Sequence, residues 1–168
     1  MIFLFRLVHI LAGAFWVGTA LFTAWFLMPS VRALGPAGGA IMEQIGQVRR
    51  LPLYLMGVMI LTILSGIALY WRDSNGFSGA WVRSGPGMVF GAGGVLGIIV
   101  AALGMIVITP AAKRLGELAA AMRKGGPPSP DQKAEMDRLQ DRMASTTKVG
   151  SFLLLIATAA MAVARYVP

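Results

Sequence analysis

A single histidine carries most of the chemistry this chain has to offer. His9 is the only histidine, and there is no cysteine. Without thiols the chain forms no disulfide, thiolate metal site, iron–sulfur cluster or covalently attached c-type haem. Between Arg6 and Arg32, His9 is the only ionisable residue, and an ionisable side chain inside a membrane helix generally marks function. It falls about 10 Å in from the start of its helix. Gly13, one turn further on, leaves room for a large group beside the imidazole. That arrangement suits an axial haem ligand or a copper ligand. The other reading is a neutral imidazole hydrogen-bonded to a second helix or to interfacial water. One histidine rules out bis-histidine haem within one chain. A second ligand then comes from a methionine, solvent, a lipid-phase substrate or another subunit. Met88 and Met161 are the candidates, because both fall toward the same end as His9 and thioethers suit Cu(I) and cytochrome-type haem. His9, Met88 and Met161 are thus the candidate cofactor ligands and His9 the candidate metal ligand. The residues leave haem b, copper and no cofactor all open.

Other chemistry is harder to find. No Asp or Glu stands in any apolar run, whereas proton-coupled transporters use an intramembrane carboxylate. His9 has no acidic neighbour at helical spacing, so no hydrolytic triad can be assembled. The GAGG at 91–94 follows no strand and has no lysine at phosphate-loop spacing. The expectation is a protein that works by binding and not an enzyme.

The elements that must position these residues are membrane helices. The chain is 57% hydrophobic and only 13% charged, which describes a polytopic membrane protein. Residues 84–112 contain no Asp, Glu, Lys, Arg or His, and roughly 20 apolar residues suffice to cross a bilayer. Spans are predicted at 2–28, 51–71, 87–109 and 149–165, giving an all-α four-helix membrane bundle in one domain, 1–168. The first run is too long for a signal-peptide core and is expected to be retained. Pro29 predicts an end to the first helix and Pro110 a kink in the third. Gly93, Gly97 and Ala101 form a small-residue stripe at four-residue spacing, and Thr62 with Gly66 a second. Both are predicted helix-packing seams. Between the first two spans, Ile41, Met42, Ile45 and Val48 are spaced for a short surface helix.

Residues 111–148 predict a helical hairpin continuing the last two spans. One arm carries Leu115, Leu118 and Met122, the other Met136, Leu139 and Met143. These apolar stripes with an ion-rich rim suit docking to a partner. Ser129 is placed as the cap of the second arm, with Pro130 at its first position and Gln132 three residues after the cap. Loops 29–50 and 110–148 share a side and hold eleven Lys and Arg, against four on the other side. Positive charge favours the cytoplasm, so both termini are expected outside and these two segments inside. Tyr70, Trp71, Trp81 and Tyr166 then form an interfacial belt on the outer side. The net charge of +8 reads as topology and contact with anionic lipid, with no nucleic acid as partner.

FRLVHILAGAFWVGTALFTAWFLMPSV, residues 5–31, resembles the first helix of the copper-resistance D-like membrane proteins. It is also similar to the uncharacterised bacterial four-helix proteins grouped near them and, more distantly, to the haem-dependent protoporphyrinogen oxidase of bacteria. The shared pattern is His9, Trp16, Gly18 and Pro29; residues 51–70 resemble the second helix of the same group. The likeness covers about half the chain. It implies a bacterial inner-membrane location and makes His9 the metal or haem ligand. The oxidase-like proteins use further polar and basic residues in later helices, where the spans here offer only hydroxyls and, at the very end, Arg165. Two functions follow: an accessory subunit of a larger respiratory or photosynthetic membrane complex, or a haem b or copper-handling protein centred on His9.

Overall fold

The computed structural model describes residues 2–168, apart from the side chains at 36 and 123–125. Among the described residues there is no strand. Four long helices are α1 (Ile2–Ala33), α3 (Leu51–Asp73), α5 (Gly85–Met122) and α6 (Pro130–Tyr166), each long and apolar enough to cross a membrane. Two short ones, α2 (Pro36–Glu43) and α4 (Gly79–Val82), sit in the connections. Helix is the form that satisfies every backbone group within one segment, as hydrocarbon requires. The surface confirms the solvent: Phe3, Ile10, Phe26, Leu61, Ile106 and Phe152 are each more than half exposed, while Ser65, Ser74 and Ser151 are buried. The chain is a multi-pass membrane protein.

α1 packs mainly along α3, and α5 along α6; lighter contacts of α1 with α6 and α3 with α5 close the ring. Where the pairs meet, Trp16, Ala101 and Leu154 form the buried core, with Val58, Met59, Ile63 and Val100 against it. The stripe on α5 is used at two of its three positions. Gly93 takes the Met161 side chain and the Ala157 carbonyl of α6, and Ala101 is buried in the core. At Gly97 a side chain would meet nothing within 4 Å.

Pro29 does not end α1. A five-residue wide turn, Thr23–Leu27, precedes it, with the Met28 N–H reaching back to the Thr23 carbonyl. A proline supplies no N–H to the carbonyl four residues earlier and crowds it. Shifting the ladder by one residue just before the proline absorbs both effects, and the helix continues to Ala33. It stops at Gly35, where φ is 55°. Pro110 is handled identically by the wide turn Gly104–Ile108, whose first carbonyl also accepts from the Thr109 hydroxyl at 3.0 Å.

The last two spans run on into an antiparallel hairpin. Ser129 caps α6 reciprocally: its hydroxyl accepts from the Gln132 N–H at 3.2 Å, and the Gln132 side chain accepts from the Ser129 N–H at 3.0 Å. Leu118 is buried, and Leu115, Met122, Met136, Leu139 and Met143 are half-buried. The predicted docking stripes therefore face the other arm and form the hairpin's own seam. Burying two apolar stripes against each other removes them from water within a single chain.

Arg114 crosses the seam to Glu135 through two hydrogen bonds, 2.7 and 3.1 Å. The pairing holds the Glu135 carboxyl below its ordinary 4.5 and raises Arg114. A lowered carboxyl stabilises the fold at pH above its ordinary value and loses that contribution as pH falls through the lowered one. Both groups are solvated, so the effect is local. Amide protection over 111–143, corrected for intrinsic exchange, should be level from pH 7 to about 5 and fall below about pH 4. Glu135→Gln should already show the low value at pH 7.

Candidate functional site

His9 faces α3. Its Nδ1 lies 2.8 Å from the Thr62 carbonyl oxygen and 3.4 Å from the Ser65 hydroxyl. A carbonyl only accepts, so Nδ1 carries the proton and donates it. The Ser65 hydroxyl gives its own hydrogen to the Leu61 and Thr62 carbonyls, leaving its oxygen to face the same N–H. Of the two tautomers of an uncharged imidazole, the contact selects the one with hydrogen on Nδ1, which leaves the lone pair on Nε2. Nε2 has no hydrogen bond among the described residues, and no fully buried polar atom there goes unpaired. This nitrogen is therefore not fully buried.

The sequence of α3 explains how a side chain reaches a helix carbonyl. In a helix each Cβ leans over the preceding turn, so position 66 would cover the carbonyl of position 62. Gly66 has no Cβ, and one built there would come within 2.8 Å of the His9 Cε1. The carbonyl's second lone pair is open to the imidazole. Thr62 directs its own hydroxyl back to the Val58 carbonyl at 2.8 Å. Its methyl carbon lies 3.6 Å from where a Gly13 Cβ would stand. Thr62 and Gly66 thus both serve the packing of α1 on α3. Gly13 thus faces α3, with the Thr62 methyl as its neighbour there.

Neither predicted methionine is brought to His9. Met161 fills the notch at Gly93, its Cγ and Cε at 3.0 and 3.1 Å from the position of a Cβ there. Met88 points outward, 57% exposed. Among the described residues no group of three His, Asp or Glu is placed to hold a metal ion. Trp16, part of the family-like pattern, is a core residue.

The end of the bundle that carries both termini holds a second constellation. Arg6, one turn before His9, pairs with Asp73 at 3.6 Å. Tyr70 donates to the Gly87 carbonyl at 3.0 Å and stands edge-on to Trp81, ring centres 5.0 Å apart. These contacts tie the ends of α1, α3 and α5 around a cleft. Ser65 and the Arg6–Asp73 pair were missed from sequence. Each becomes visible only once α1 is laid antiparallel on α3, which places position 6 opposite 73 and position 9 opposite 62–66.

A scan against protein-family models finds no matching family, and searches of curated proteins and of solved structures find no match.

Proposed function

We propose that the chain is a non-catalytic structural subunit of a larger membrane assembly, seated in a bacterial cytoplasmic membrane with both termini outside. The observation that supports this best is the use made of His9. The only histidine of the chain is a strut between α1 and α3, its N–H given to the Thr62 carbonyl and its ring seated on Gly66. The polar groups within the apolar spans serve helix packing. The asymmetry of Lys and Arg between the two ends supports the orientation. The partner surface is then the apolar flank of the spans, since the hairpin stripes are engaged with each other. The complex is of respiratory or photosynthetic type. Extraction of native membranes in mild detergent should show the chain migrating with larger partners; recovery only as a free monomer or homodimer would overturn the proposal.

A second reading is favoured by one observation, the free Nε2. A histidine that ligates a metal characteristically donates its other N–H to a carbonyl or carboxylate, and His9 does so. This fits a haem b axial ligand, which needs one protein nitrogen; such a haem would supply electron-transfer chemistry. It does not fit copper within one chain, because the two thioethers expected to complete the site point elsewhere. Haem ligation through His9 predicts a Soret band in gently purified protein that His9→Ala abolishes. An unchanged spectrum in that variant would dismiss the haem, and a featureless wild-type spectrum would leave the strut alone.

A further inference from the structure

The cleft at the terminal end of the bundle has its own chemistry. It is an open groove of about 410 Å³ lined by Arg6, Asp73, Trp81, Pro86, Phe90 and Arg165. All four long helices border it. Asp73 is the only acidic side chain at this end and is engaged by Arg6. Arg165 makes no ion pair among the described residues and is exposed. The cleft therefore carries an excess positive charge on a guanidinium suited to forked contact with phosphate oxygens. Its opposite wall is apolar. Phe90 lies in the second turn of α5, where the charge-free span begins, and Trp81 is braced by Tyr70. An inorganic anion would leave Trp81, Pro86 and Phe90 without a partner, whereas a lipid presents both phosphate and hydrocarbon.

We propose that this cleft binds the phosphodiester headgroup of an anionic phospholipid, with Arg165 as the principal contact, Arg6 as a shared one, and Trp81 and Phe90 against the glycerol and upper acyl chain. A guanidinium beside aromatic side chains at the membrane surface offers such a lipid a charge partner for its phosphate and an apolar contact for its chains. His9 is not among the residues that line it.

The test is native mass spectrometry of the detergent-purified full chain titrated with phosphatidylglycerol or phosphatidylcholine. Both lipids offer the phosphodiester, but the choline ammonium of the second sets a further positive charge beside Arg6 and Arg165, so phosphatidylglycerol should bind roughly tenfold more tightly. Arg165→Gln should bring it down to the phosphatidylcholine level with the unfolding midpoint unchanged. Arg83→Gln should leave it untouched, because that guanidinium lies at the same end but against Gly79, outside the cleft. Equal binding of the two lipids would overturn the proposal, as would an equal loss in Arg83→Gln, which would indicate bulk charge. Displacement of phosphatidylglycerol by millimolar inorganic phosphate would reassign the cleft to a free anion.

Discussion

Gly66→Ala should destabilise the bundle, and His9→Ala in the same chain should relieve the steric part of the loss. The added Cβ would stand 2.8 Å from the His9 Cε1, closer than carbon atoms pack. The imidazole is a rigid ring on a short stem and cannot yield at its tip, so it must swing off the Thr62 carbonyl. Interhelical hydrogen bonds in membranes contribute about 0.6 kcal/mol on average and up to about 1.7, and the overlap adds strain. A total of about 2 kcal/mol is expected, within the usual range for a packing substitution. His9→Ala alone loses the hydrogen bond but leaves no clash. Combined with Gly66→Ala it lets the new methyl fill part of the vacated space. A double-mutant cycle should therefore show strong coupling between two positions far apart in sequence. Thermal unfolding in detergent measures it; simple additivity would mean that His9 and Gly66 do not touch.

Gly93→Leu should cost about 3 kcal/mol or more, while Gly97→Leu, one turn along the same stripe, should change stability by less than about 0.5 kcal/mol. At Gly93 the obstacle includes the Ala157 carbonyl oxygen, 3.2 Å from a Cβ. Met161 could swing aside, but backbone cannot, so a leucine must push α5 and α6 apart. That would disturb the core at Ala101 and Leu154 as well. At Gly97 nothing lies within 4 Å, and a leucine would project into hydrocarbon like its neighbours Ile98 and Ile99. Comparable losses at both positions would mean that α6 follows the whole stripe.

That contrast shows how far the sequence can be read. The apolar runs, the all-α architecture and the reciprocal cap at Ser129 and Gln132 were legible because each depends on residues close in the chain. The stripe 93–97–101 was legible as a face, but its period says nothing about where a neighbouring helix crosses, and the crossing leaves Gly97 out. The hairpin stripes show the same gap. Leu115, Leu118 and Met122 read as surface seeking a partner, and the partner is the returning arm itself. Pro29 was misread because local rules weigh the missing N–H and not the wide turn that can absorb it. His9 was conspicuous as the one histidine in an apolar run. What it meets depended on a serine, a glycine and a carbonyl more than fifty residues away.

The wide turn before Pro110 and the unbroken course of α6 give the molecule a mechanical character. From Pro130 to Tyr166 the chain is one rod of about 55 Å, with no flexible joint between the hairpin tip and the end bearing Arg165. A bundle with a hinged extension can let its outlying part wander while the membrane part stays still. Here the helix is unbroken along its length, so its hairpin part and its membrane part share one axis. A change in bilayer thickness that alters the tilt of α6 must therefore swing the hairpin. Lys148 is seated over the Trp25 ring at 5.7 Å, and Arg32 grips Asp141 at 2.9 Å. These contacts clamp the rod to α1 between its ends, where a lever has its fulcrum.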